Sequence, residues 1–124
     1  MPFSSHPRLL GSALLLAWSL LCAGCANRPS EPVASQSVDA SSGRARFIGP
    51  IDWDSVHRLQ NLVKGKSIRI LEVDSRGGNT EAAIALGYWL HPQKINLEVN
   101  RLCLGSCANY WFTAAHKKLI QPGA

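Results

Sequence analysis

The residues best suited to chemistry are in the stretch Cys103-Leu104-Gly105-Ser106-Cys107-Ala108-Asn109-Tyr110, downstream of Ser75-Arg76-Gly77-Gly78. A serine where an extended segment passes into a helix, with a glycine pair after an earlier strand, is how acyl-transfer enzymes set a nucleophile beside backbone N–H donors. Ser106 is the expected nucleophile, and the N–H groups of Gly78 and Cys107 are the expected oxyanion donors. A helix start offers unpaired N–H groups and the positive end of the helix dipole, both favourable to a developing oxyanion. Glycine at 78 lets the backbone approach a substrate with no side chain in between. Each piece also has an ordinary reading, Ser106 as an N-cap and Gly77-Gly78 as a strand-to-helix turn. Their combination in the right elements favours chemistry.

A serine needs a base to become nucleophilic at neutral pH. His116 follows Ser106 by ten residues along the same expected helix, which puts it about 15 Å away along the axis. Lys117 and Lys118 share that distance. His57 and His91 fall on, or at the end of, other helices as solvent-facing or partly buried side chains. None of these is expected to serve Ser106.

The elements that must position the serine follow from periodicity. Arg46 to Ile51 is a short β-prone run ending at Gly49-Pro50. Asp52 or Asp54 can cap a helix in which Val56, Leu59 and Val63 recur on one face, and Gly65 can end it. Ser67 to Asp74 reads as a buried strand. Asn79 or Thr80 can cap the next helix, with Ala83, Leu86, Gly87 and Leu90 inward and Pro92 closing it. Ile95, Leu97 and Val99 alternate as a further strand. A helix from Ser106 to about Ala115 and a strand from Lys118 to Gln121 complete the order. Strands alternating with helices of this length predict α/β architecture with βαβ units and a mainly parallel sheet. Trp89, Tyr110, Trp111 and Phe112 form an aromatic group suited to core packing or subunit contact.

The N-terminus reads as an export signal. Met1 to Arg8 carries the positive charge, Leu9 to Leu21 is an uncharged apolar run, and small residues follow at Ala23 and Gly24. That run is too short to span a bilayer comfortably, which takes about 20 residues. Residues 26 to 46, rich in Ser and Ala with two Pro, read as a flexible tether. The expected organisation is therefore a leader over 1–24, a tether over 25–46 and a folding unit over 47–124.

The chain carries 13 basic and 8 acidic residues, a net charge of +5. The basic residues are scattered along the sequence and only Lys117-Lys118 are adjacent, so no nucleic-acid footprint is expected. Of the four cysteines, Cys103 and Cys107 fall in the folding unit. Their spacing suits a disulfide if the backbone turns sharply between them, and two buried free thiols fit equally well. No His or Cys clusters with them, so neither a metal site nor a cofactor is expected.

Two resemblances sharpen this reading. Leu21-Cys22-Ala23-Gly24-Cys25 resembles a bacterial lipobox, with Cys22 where leucine is commonest. The resemblance implies a lipid on Cys25 and a protein anchored to a membrane of the cell envelope. The order strand, Gly-Gly, helix, strand, Gly-Ser, helix resembles the Clp-type serine protease and crotonase superfamily. Arg46 to Asp52 is similar to the opening strand and turn of Clp-type peptidases. Ser75-Arg76-Gly77-Gly78 resembles their Ser-Pro-Gly-Gly turn, with Arg76 replacing proline. A closer likeness is to small exported bacterial proteins with a Cys-Leu-Ser-Ser-Cys-Ala-Asn-Tyr motif, Gly105 standing for the first of those serines.

These likenesses imply a Clp/crotonase-like domain acting on a peptide or other acyl substrate, with possible self-assembly into a homo-oligomer. In Clp-type enzymes a histidine follows the nucleophile helix and one further strand, with a carboxylate later. On that pattern the chain reads as incomplete at its C-terminus, the base expected beyond Ala124. If no base follows, the competing expectation is an inactive surface lipoprotein that serves as a binding or structural module. A crotonase-like thioester enzyme fits poorly with export away from cytoplasmic coenzyme A.

Overall fold

A computed structural model describes residue 30 and residues 32–124. The expected signal segment and the expected lipidation site at Cys25 lie outside the described residues. The compact unit runs from Pro32 to Ala124.

Five strands form one sheet in sequence order: β1 (Ser35–Asp39), β2 (Arg44–Ile48), β3 (Ile70–Ser75), β4 (Asn96–Cys103) and β5 (Lys118–Ile120). β1 pairs antiparallel with β2, and every other pairing is parallel. The parallel pairs are joined through α1 (Trp53–Val63), α2 (Thr80–Leu90) and a π-helix (Cys107–Phe112). The architecture is thus α/β with a mostly parallel sheet, as the alternation of elements predicts.

Local chemistry explains the helix limits. Asp52 caps α1 by accepting from Ser55 N–H, while the Ser55 hydroxyl accepts from Asp52 N–H, so two orphan donors are satisfied reciprocally. Asn79 caps α2 through Ala82 N–H. The α1 residues Val56, Leu59 and Val63 and the α2 residues Ala83, Leu86, Gly87 and Leu90 are all buried, as their spacing requires.

The core lies between the helices and one face of the sheet. Phe47, Val73 and Val99 occupy adjacent register positions in β2, β3 and β4, and Ala45, Leu71 and Leu97 form the next row. Trp111 of the π-helix is fully buried, meets Phe47 edge to face at 4.9 Å, and donates its indole N–H to Ala83 O at 3.0 Å. Of the other aromatics in the group, Trp89, Tyr110 and Phe112 are partly buried against this core.

The opposite face of the sheet gathers charges that are scattered in sequence. Arg44 bridges Glu72 at 2.5 Å and Glu98 at 2.6 Å, and Arg46 reaches Glu72 at 2.7 Å. Asn100 and Gln121 donate to Glu72 and Glu98 respectively. Burial pushes the Glu72 carboxyl up, but hydrogen bonds from Arg44, Arg46 and Asn100 outweigh it and hold the group below its ordinary value. The same two glutamates raise the Arg44 guanidinium further.

Two expectations need correction. The stretch expected as a tether holds β1 and the start of β2, joined by a turn at which the Asp39 carboxylate accepts from Ser41 and Ser42. Hydrogen bonds from the Ser41 and Ser42 hydroxyls chiefly draw the pKa of Asp39 down to about 2. β1 has a polar composition because it is an edge strand with only Gln36 and Val38 in register with the core positions Phe47 and Ala45. The last helix differs too: its central six residues wind as a π-helix. Cys107 and Trp111, four apart, are both buried, a spacing that α and π turns serve equally well in the sequence pattern. Among the described residues no helix is long and apolar enough to cross a membrane.

Candidate active site

Ser106 and Gly78 meet at the ends of β3 and β4. The two strands run in simple register as far as Val73 opposite Val99, but Ser75 then pairs with Cys103. β4 therefore carries extra residues, a bulge of the kind that re-aims side chains beside functional sites. Arg101, within the bulge, pairs with Asp74 at 2.7 Å. The bulge delivers Leu104 to Ser75, whose carbonyl accepts Leu104 N–H at 2.9 Å.

The turn that holds Ser106 is tight against the glycine turn. A Cβ on Gly77 would stand 2.7 Å from Leu104 O and 2.8 Å from Ser106 N, and the residue has φ +91°. At Gly78, with φ +153°, a Cβ would fall 2.2 Å from Ile51 O. Only glycine satisfies either position, so the pair is more than a generic turn.

The Ser106 hydroxyl accepts Gly78 N–H at 2.9 Å and itself donates to Gly78 O at 3.3 Å. It makes no capping bond to the helix that follows, so the N-cap reading of this serine does not hold. Ser106 is 7 % exposed, while Gly78 beside it lies at the surface. The helix behind the serine is a short π-helix, so the donor that reaches the hydroxyl is a specific N–H from Gly78 rather than the end of a long dipole.

The second expected donor is placed differently. Cys107 N–H donates to Leu104 O at 3.1 Å, closing the turn that presents Ser106. It is occupied in this arrangement, and recruiting it to an oxyanion costs that hydrogen bond. Cys103 and Cys107 are joined as a disulfide with Cα atoms 5.2 Å apart. The bond closes the segment holding Gly105 and Ser106.

The three described histidines are elsewhere. His57 stacks at a tilt on Trp53, His91 places its Nδ1 3.2 Å from Ala114 O, and His116 is exposed. Both hydrogen-bond partners of the Ser106 hydroxyl are backbone atoms of Gly78. Arg76 and Asn109 are exposed. No group of three or more metal-ligating side chains occurs among the described residues.

Two concavities flank the region. One of about 330 Å³ beside the 103–107 turn has Leu102, Cys103, Leu104, Ala108 and Phe112 in its walls. A larger one of about 580 Å³ lies between α2 and the π-helix, and neither Ser106 nor Gly78 lines either concavity. Sequence reasoning overlooked Ser75, whose buried hydroxyl bonds to both Gly49 O and Gly77 N–H. The available signal was a polar residue closing an otherwise apolar strand, directly before a glycine pair. No family model, curated protein or solved structure matches this chain.

Proposed function

We propose that this chain is an exported, lipid-anchored serine hydrolase-like domain of Clp/crotonase type, acting on peptide or related acyl bonds. The observation that supports it best is the Gly78 N–H to Ser106 hydroxyl bond, made across 28 residues. A buried serine hydroxyl and a backbone donor at the surface meet at one spot, and the absence of a side chain at Gly77 lets the Ser106 turn approach this closely.

In this reading Ser106 Oγ attacks a carbonyl carbon, and its proton passes to a base. The carbonyl oxygen becomes an oxyanion that takes over the Gly78 N–H. Cys107 N–H joins it by exchanging its Leu104 partner. Collapse of the tetrahedral intermediate expels the leaving group, which takes the proton back from the base, and leaves an acyl-serine; water, deprotonated by the same base, hydrolyses it and the serine hydroxyl regains its proton. The base comes from outside the described residues; the resemblance to Clp-type enzymes implies a histidine after one further strand, paired with a carboxylate.

A second reading rests on the lack of any side chain touching the Ser106 hydroxyl among the described residues. It makes the domain a surface lipoprotein that binds rather than cleaves. A fluorophosphonate probe applied to the protein made from its natural reading frame separates the two. Labelling that vanishes in a Ser106→Ala protein that still folds supports the hydrolase. A folded natural protein that never labels leaves the binding module.

A further inference from the structure

We infer that Ser75 is a positioning residue that aims the Gly78 N–H at Ser106, an inference that rests on the hydrolase reading for its functional meaning. Ser75 closes β3 and is 1 % exposed. Its hydroxyl donates to Gly49 O at 2.7 Å and accepts Gly77 N–H at 3.1 Å, while its carbonyl accepts Leu104 N–H at 2.9 Å. One buried residue is therefore bonded to the turn after β2, to the glycine turn and to the nucleophile turn.

The direction of the Gly78 N–H follows from two peptide planes. Peptide units are rigid, so only φ and ψ of Gly77 relate the plane before it to the plane after it. The Ser75 hydroxyl fixes the first plane through Gly77 N–H. Ile51 N–H fixes the second by donating to Gly77 O at 3.0 Å. In a trans peptide C=O and N–H point in opposite directions, so a Gly77 carbonyl held on Ile51 turns the Gly78 N–H the other way, onto Ser106. Without the Ser75 hydroxyl the most permissive residue type in the chain is pinned on one side only. The 76–77 plane can then rotate, and the bond from Ile51 N–H alone is left to hold the 77–78 plane that carries the Gly78 donor.

The carbonyl of Ser75 survives any side-chain substitution, so the nucleophile turn keeps its own tether. The effect of Ser75→Ala is thus expected at Gly78 rather than throughout the site. Buried serine hydroxyls also contribute to general stability, and the test must separate the two roles.

The test compares the ¹⁵N-labelled full chain with Ser75→Ala and Ser75→Cys, reading amide exchange by NMR and fluorophosphonate labelling rate. In Ser75→Ala the Gly78 amide should exchange about tenfold faster, the worth of one hydrogen bond, with Val73 in the ladder changed much less. Labelling should slow by at least the same factor, and Ser75→Cys, which keeps a weak donor and acceptor, should recover part of both. Equal acceleration at Gly78 and Val73, or unchanged Gly78 exchange, overturns the positioning role. If the wild type made from its natural reading frame does not label at all, the nucleophile reading fails by itself. The exchange ratio still decides whether Ser75 holds the donor, and Ser75→Cys supplies it should Ser75→Ala not fold.

Discussion

Cleaving the Cys103–Cys107 disulfide should weaken the domain by an amount that its sequence separation of four sets in advance. In the chain-entropy account a cross-link stabilises by restricting the unfolded chain, and a five-residue loop gives ~2 kcal/mol at 25 °C. For a domain of this size that corresponds to a fall in melting temperature of about 8–16 °C. The perturbation is a phosphine reductant, backed by Cys103→Ser. Cys103 is the milder site because it is only partly buried, whereas Cys107 is fully buried and a hydroxyl there would lack a partner.

The assay is thermal unfolding followed by circular dichroism, with thiols counted in denaturant before and after reduction. No free Cys103 or Cys107 thiol should appear before reduction, and both should appear after it. The loss should also be felt locally. The closed loop contains Gly105 and Ser106, and Leu104 at its start is bonded to Ser75. The amides of 104–106 should therefore exchange faster in the reduced protein while β2 and β3 keep their relative protection. A fully reduced protein that melts within about 3 °C of the oxidised form would refute the reasoning. Its unfolded state would then have gained nothing from release of the loop.

Other perturbations test the core and the charged face. Trp111→Phe should cost about 2 kcal/mol, roughly half from the lost bond to Ala83 and half from unfilled space in the core. Urea midpoints measure it. Glu72 is held below its ordinary pKa, so its contribution is complete above the unfolded value near 4.3 and is lost as pH falls through the lower folded value. Glu72→Gln should therefore flatten the acid limb of stability against pH, and should lower stability at neutral pH by about 1–3 kcal/mol.

Much of the fold was legible because its helices follow simple rules. Of the two cap candidates at each helix, Asp52 or Asp54 and Asn79 or Thr80, the first serves in both cases, since a short oxygen-bearing side chain before a periodic apolar run has few other uses. β1 was not legible. Ser-Gln-Ser-Val-Asp has little apolar content, and what makes it a strand is its antiparallel pairing with β2, a partner that the local composition does not reveal. Nor was the outer face of the sheet: Arg44, Glu72 and Glu98 lie 28 and 54 residues apart, so each looks like a solvated charge until the strands are laid side by side.

The proposed site divides in the same way. Ser106 and Gly78 were selected from motif and spacing, and the structure brings them together. The occupation of Cys107 N–H by Leu104 O was out of reach, because it depends on how tightly the 104–107 turn closes. Ser75 was quoted within the motif without a role. Its task depends on Gly49, 26 residues earlier.

The bond between Gly78 and Ser106 has a consequence in time as well as in space. Its partners are 28 residues apart and meet only when β3 and β4 have docked in parallel across α2. Pairings of this kind close long loops and come late in folding. Until then Ser106 is an ordinary hydroxyl on a mobile chain. Under the proposed hydrolase function a nascent or unfolded molecule is chemically silent, and the reactivity of the serine is switched on by completion of the sheet.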